Sequence, residues 1–124
     1  MGQAEDGTPY RWGQVYAALV AMKGLAEHGR IAPVTEREVT KAAGKPLGTF
    51  EALLPDVGEQ ILAARQRGGA VADAAAAAFA DIGRRIPPGR MSWAGLAPRL
   101  TPEFRQGYEE RIAAYREAWE DIVD

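Results

Sequence analysis

Residue types capable of acid–base, nucleophilic or metal chemistry are sparse in this sequence, and none are grouped. The single histidine is His28, beside Gly29, and the chain holds no cysteine that could share a metal with it. His28 is therefore expected as an exposed residue at a helix C-terminus, an end that favours a cation. Glu109 and Glu110 are adjacent, so on a helix they point about 100° apart and cannot act as one pair. Glu36 and Glu38 share that defect. Glu117 and Asp121 do share a helix face, but without partners they read as a solvated stripe. The absence of cysteine removes disulfides, thiolate nucleophiles and zinc–sulfur sites together. No Gly-x-Ser-x-Gly, phosphate loop, dinucleotide-binding glycine pattern or His-Glu-x-x-His occurs. The sequence offers no catalytic constellation, cofactor box or metal-ligand set, and a non-enzymatic role is expected.

What remains is binding, and the residues for it are basic. Lys41, Lys45, Arg65, Arg67, Arg84, Arg85 and Arg90 fall near predicted helix ends and are the candidates for nucleic-acid contact. Twelve of the 15 basic residues are arginine, whose planar fork suits bidentate phosphate contacts. The net charge of −2 conceals an uneven distribution: residues 41–100 carry +3 and residues 101–124 carry −4. A local basic face, rather than the overall charge, is what binding to a polyanion needs. The competing explanation is that basic residues at helix ends simply complement the helix dipoles. If the two helices ending in Arg65/Arg67 and Arg84/Arg85 run antiparallel, those pairs lie at opposite ends of their layer. A continuous basic stripe would then need linking residues such as Arg11, Lys23 and Arg30.

The elements that must position these residues are helical. Residues 1–7 are polar and are expected to be a flexible lead-in, with residues 8–124 forming one helical-bundle domain. Thr8-Pro9 opens a helix as N-cap and first-turn proline, running to about His28 and stopping at Gly29. Trp12, Val15, Tyr16, Leu19, Met22 and Ala26 are its expected buried stripe, with Leu25 at the edge and Gly13 leaving room for a close neighbour. Thr35-Glu36-Arg37-Glu38 is a capping-box pattern for a short helix over about 36–43. Lys45–Gly48 reads as a loop, and Thr49 as the cap of a helix carrying Phe50, Leu53, Leu54, Val57, Ile61 and Leu62 on one face. Pro55, inside that stretch, must bend the helix or mark its true start.

Residues 70–86 are alanine-dense and strongly helix-favouring, with Val71, Ala75, Phe79, Ile82 and Ile86 as the expected inner face. Pro87-Pro88-Gly89 stops that helix, and Met91–Leu100 reads as irregular, with Trp93 and Leu96 closing an edge of the core. Residues 101–123 carry Phe104, Tyr108, Ile112, Tyr115, Trp119 and Ile122 at gaps of 4, 4, 3, 4 and 3, one stripe of a helix. No period-two stretch and no internal repeat is present. The predicted class is all-α: a bundle of four longer helices plus one short helix, with Trp12, Tyr16, Leu19, Phe50, Leu54, Phe79, Phe104, Tyr108, Tyr115 and Trp119 as its packing residues.

A chain of 124 residues suffices for one packed domain without cross-links. The opening Met1–Tyr10 has neither a basic nor an apolar segment of the signal-peptide kind, and the apolar run Ala74–Ala80 is far short of a membrane span. The expectation is a soluble cytoplasmic protein with no membrane partner and no small-molecule substrate.

Three stretches resemble one family. Thr8-Pro9-Tyr10-Arg11-Trp12-Gly13-Gln14-Val15-Tyr16-Ala17-Ala18-Leu19 is similar to a segment of the large subunit of the subtype I-C CRISPR Cascade complex. There an Asn-Pro-Ala-Tyr entry precedes a Leu-Gly-Arg-Leu-Phe-Ala-Val-Leu helix and opens a C-terminal helical domain, also made separately as the small subunit. Lys45-Pro46-Leu47-Gly48-Thr49-Phe50 through Leu53-Leu54 looks like the family's Thr-Pro, Phe and paired-Leu helix. Leu100 through Phe104, with Gly107-Tyr108, resembles its Phe-x-x-Gly-Tyr closing helix. Order and spacing agree over about residues 8–116. Gln14 stands where the family has arginine, Tyr108-Glu109-Glu110-Arg111 replaces Tyr-Tyr-His-Gln, and Ala42-Ala43-Gly44 shortens an Ala-Ser-Ala stretch. The resemblance implies a helical component of an antiviral, crRNA-guided effector complex. Components of this kind pack on the backbone subunits and guide the displaced DNA strand through sequence-blind phosphate contacts. The alternative is a helical protein-interaction module without nucleic acid, such as a phage decoy of that component, and the acidic last helix suits it.

Overall fold

The computed structural model describes residues 8–31, 34–44, 46–85 and 101–122. Among them are six α-helices: α1 (Thr8–His28), α2 (Glu36–Gly44), α3 (Pro46–Leu53), α4 (Val57–Arg67), α5 (Gly69–Arg85) and α6 (Thr101–Ala118). The fold is an all-α helical bundle. α3 and α4 are two arms of one bent unit, joined by a 3-10 turn at Leu54–Asp56. The expected lead-in 1–7, Lys45, Arg90 and the Met91–Leu100 segment with Trp93 and Leu96 lie outside the described residues, as do the capping side chains expected at Thr8 and Thr101.

The bundle is built around α1, against which α4, α5 and α6 all pack. The expectation of a single buried stripe on this helix is too narrow. Every residue from Gly13 to Met22 is buried, and Leu25, expected at the edge, is fully enclosed. A helix that is apolar all round belongs in the middle of a fold. Side chains the size of Leu19, Met22 and Leu25 each contribute about 1.5–3 kcal/mol when fully buried. α1 ends where expected, with Gly29 at φ 73°, a left-handed conformation in which glycine carries no Cβ penalty.

α6 crosses α1 at a pair of glycines. A Cβ on Gly13 would sit 2.0 Å from the Phe104 carbonyl oxygen, and one on Gly107 would sit 2.0 Å from the Tyr10 carbonyl oxygen. Backbone thus meets backbone, and the aromatic rings interleave on either side. Tyr16 lies 5.8 Å from Phe104 and 5.4 Å from Tyr108 between ring centroids, and Trp12 lies 5.0 Å from Phe50. Beyond Ala118, a 3-10 turn at Glu120–Ile122 continues the last helix, and the Ile31 amide donates to the Ile122 carbonyl at 2.8 Å. Trp119 is half-buried and stacks on Tyr115 with ring centroids 4.9 Å apart.

Four sequence expectations require correction. The third helix begins at Pro46 instead of at a Thr49 cap, because proline is pre-set for the first helical turn. Leu54 is 37% exposed: Pro55 breaks the helical frame into the 3-10 turn, leaving Leu54 on its outer corner while Val57 restarts the buried series. Phe79 is 49% exposed and is not a core residue. The inner face of α5 consists of Ala74, Ala75, Ala78, Asp81 and Ile82, and Phe79 stands about 100° round the helix from Ala78. Leu62, also expected to face inward, is 60% exposed, because α4 buries Val57 and Ala64 instead.

Candidate nucleic-acid interface

The five basic candidates among the described residues, Lys41, Arg65, Arg67, Arg84 and Arg85, do not form one patch. Lys41 and Arg65 are exposed near the C-terminal ends of α2 and α4. Arg67 is occupied: its Nε donates to the Ala26 carbonyl at 3.3 Å and its Nη2 to the Glu27 carbonyl at 3.1 Å. Those are terminal carbonyls of α1, which have no partner within their own helix, so this arginine caps the central helix from a neighbour. Gly68 and Gly69, at φ 69° and 55°, form the tight connection between α4 and α5, which pack on each other. That turn sends α5 back along α4 and carries Arg84 and Arg85 to the far end from Arg65 and Arg67, as the short connection predicted.

At that far end, the sequence reading missed the central residue. Asp81 lies on the inner face of α5 with only 10% of its side chain exposed. Around it converge Arg84 Nη1 at 3.6 Å, Arg85 Nε at 3.6 Å and Arg111 Nη1 at 3.7 Å. The Tyr115 hydroxyl donates to Asp81 Oδ2 at 2.6 Å, and Arg111 lies 5.5 Å over the Tyr115 ring centre. Arg85 Nη1 also donates to Oε1 of the buried Gln14 on α1 at 3.3 Å. Both α5 and α6 lean on α1, and this polar group bridges them to each other. The signal available in the sequence was Asp81 at i−3 and i−4 from Arg84 and Arg85, inside an otherwise apolar helix.

The enclosure of the aromatic hydroxyls disfavours their ionised forms. Burial, followed by the Asp81 hydrogen bond and charge, pushes the Tyr115 hydroxyl far above its ordinary pKa. Burial pushes Tyr16 up to about 12, with the Glu38 charge adding to it. Tyr108 is raised by burial, although its hydroxyl accepts the Val34 amide at 2.9 Å. At the rim, Tyr10 donates to Glu110, which raises the tyrosine and lowers the carboxyl. Gln106 donates to the other oxygen of Glu110 at 2.7 Å.

Elsewhere, polar contacts serve the scaffold. Arg105 joins α6 to α2 through Thr40 at 3.0 Å and Glu36 at 3.7 Å. The first half of the capping box forms, with the Glu38 amide donating to Thr35 Oγ1 at 3.3 Å, while the Glu38 carboxylate meets the Thr35 hydroxyl at 3.5 Å. His28 is exposed at the end of α1, 3.8 Å from Glu27. A half-open groove of about 340 Å³ lies beside it, with Tyr16, Leu19 and Leu53 among its apolar lining and Lys23, Glu27 and Glu38 among its polar residues. Among the described residues, no three His, Cys, Asp or Glu side chains are grouped to hold a metal ion. None of the described helices is long and apolar enough to cross a membrane. Comparison with protein-family models, curated proteins and solved structures found no match to this chain.

Proposed function

We propose that this chain is a non-catalytic helical small subunit, or the equivalent C-terminal domain of a large subunit, in a type I CRISPR effector complex. In this role it packs on backbone subunits and steadies the displaced DNA strand through sequence-independent phosphate contacts. One observation carries the reading. The three stretches that resemble the family, separated by tens of residues, meet in one aromatic core: Trp12 and Tyr16 from the first, Phe50 from the second, Phe104 and Tyr108 from the third. Residues that carry the resemblance, and that helical spacing also marks as inward-facing, are thus part of the core of the bundle, and Gly13 and Gly107 lie where the backbones of α1 and α6 approach.

The test is co-purification of the tagged chain with a crRNA-bearing complex, followed by binding of single-stranded DNA at about 50 mM salt, where phosphate contacts are strong. Assembly with backbone subunits and salt-sensitive DNA binding are expected. Failure of both would remove the reading.

A second reading is favoured by a specific surface. Leu62 and Phe79 are exposed on α4 and α5, and Ala76, Ala77 and Ala80 extend the outer face of α5 without charge. With Arg67, Arg84 and Arg85 each partnered by groups of this chain, a protein-interaction module without nucleic acid, such as a phage decoy, fits these features. The salt dependence separates the two. Phosphate neutralisation gives a log–log slope of about −0.7 per contact on single strands, and a decoy gives a slope near zero.

A further inference from the structure

The arginines around Asp81 exceed what that carboxylate can satisfy. Three guanidinium groups share one aspartate, and all three ion pairs lie at 3.6–3.7 Å, beyond ordinary hydrogen-bond length. The one short bond to the carboxylate, at 2.6 Å, comes from neutral Tyr115. The neighbouring carboxylate, Glu110, already receives Tyr10 and Gln106. The Nε atoms of both Arg85 and Arg111 are buried with no hydrogen-bond acceptor among the described residues. Arg85 and Arg111 are three-quarters buried, at 24% and 25% side-chain exposure, so water screens their charge only in part. Arg84 is the outermost of the three, at 68% exposure.

We infer that Arg84, Arg85 and Arg111 form a phosphate-binding site, with Asp81 as the anchor that holds the three guanidinium groups together. A phosphate group supplies what the cluster lacks: negative charge against a surplus of two positive charges, and several acceptor oxygens for planar N–H forks. Asp81 alone, buried and fixed by Tyr115, sets the spacing of the forks without neutralising them. Tyr10, half-buried at the rim, is an aromatic residue within the field of Arg85 and Arg111. An arginine group beside an aromatic ring is the combination that single-stranded nucleic acid uses, phosphate on one and base on the other. The inference does not depend on assembly with an effector complex, because the chemistry is complete within this chain.

The full-length chain is followed by the arginine Nε–Hε signals in ¹H–¹⁵N spectra, titrated separately with inorganic phosphate and with a ten-residue oligodeoxythymidine. Sodium chloride at matched ionic strength is the control. The Arg85 and Arg111 signals should shift together and saturably with at least one phosphate source. Arg84→Ala, at the exposed position, should weaken binding roughly fivefold or more, as should Arg111→Lys, which keeps the charge and loses the fork. Arg37→Ala, on the exposed face of α2, should leave it unchanged. Saturation by inorganic phosphate alone identifies a free phosphate as the ligand, and tighter saturation by the oligonucleotide identifies the DNA backbone. The site is overturned if neither ligand moves the signals, if chloride moves them equally, or if Arg84→Ala and Arg111→Lys both bind like the parent. Oligonucleotide shifts confined to Arg65 would also overturn it, while leaving the DNA-binding reading standing.

Discussion

Tyr115 on α6 donates its hydroxyl to Asp81 on α5 at 2.6 Å, and both residues are buried. Removing that hydroxyl by Tyr115→Phe leaves a buried carboxylate short of a donor. The expected cost is about 1–3 kcal/mol, read as a lower urea midpoint at unchanged m-value. An unchanged midpoint would show that the arginines alone satisfy Asp81.

The glycines divide into two classes with opposite expected signs. Gly13→Ala and Gly107→Ala each place a Cβ 2.0 Å from a backbone oxygen of the facing helix, so α1 and α6 must separate. Each should destabilise by about 1–3 kcal/mol, as overpacking does. Gly58 and Gly83 are helical with open space around the added atom, and alanine there should stabilise by roughly 0.5–1 kcal/mol. Thermal unfolding of the four variants checks both signs at once.

Alkaline pH should unfold the bundle. Tyr16 and Tyr115 are held neutral by burial, so their folded pKa values lie above the unfolded value of 10.0, at about 12 for Tyr16. A raised folded pKa gives stability that is complete below the unfolded pKa and lost as pH rises toward the folded one. Stability should therefore fall between about pH 10 and 12, with tyrosinate absorbance and loss of helical circular dichroism appearing together. Gradual ionisation at pH 10 with the helices intact would contradict the burial of these rings.

Arg67 should behave as a scaffold residue. Arg67→Ala removes two hydrogen bonds to the terminal carbonyls of α1, and an exposed pair of this kind is worth about 0.5–1.5 kcal/mol. DNA affinity measured well below the unfolding temperature should not change. A drop in affinity at equal stability would return Arg67 to the binding surface.

Phe79→Ser and Leu62→Ser, at exposed positions, should alter stability by less than about 0.5 kcal/mol and reduce co-purification with any partner that covers α4 and α5. A large loss of stability would mean that these side chains are packed against the chain itself.

The sequence made the helices legible because their signals are local: Gly29 ending α1, the Thr35–Glu38 capping box, Pro55 interrupting the third helix, and the spacing from Phe104 to Ile122. It also pointed to a close helix approach at Gly13. What it could not reveal was which helix is central. The stripe on α6 is the clearest amphipathic pattern, yet α1, apolar on all sides, is the helix the others surround. Phe79 was misjudged because hydrophobicity marks a residue as able to be buried, while the alanine face of α5 decides which side lies inward. Most of the seven basic candidates could not be sorted by type and position alone. Arg67 and Arg85 are distinguished from Arg65 by the Ala26 and Glu27 carbonyls and the Gln14 side chain, contributed by a distant part of the chain, although the Asp81 partner of Arg85 lies four residues away on the same helix.

The crossing of α1 and α6 also has a consequence for synthesis. The first described helix finds its main backbone partner in the last one, and Ile31 closes onto Ile122. Such contacts between distant positions slow folding, because a long loop must close before any of them forms. α1 therefore leaves the ribosome well before its partner and must wait, apolar on every side, until residues 104–122 emerge. A nascent chain arrested before residue 101 should bind chaperones and resist compaction, and release of the final segment should trigger folding in one step.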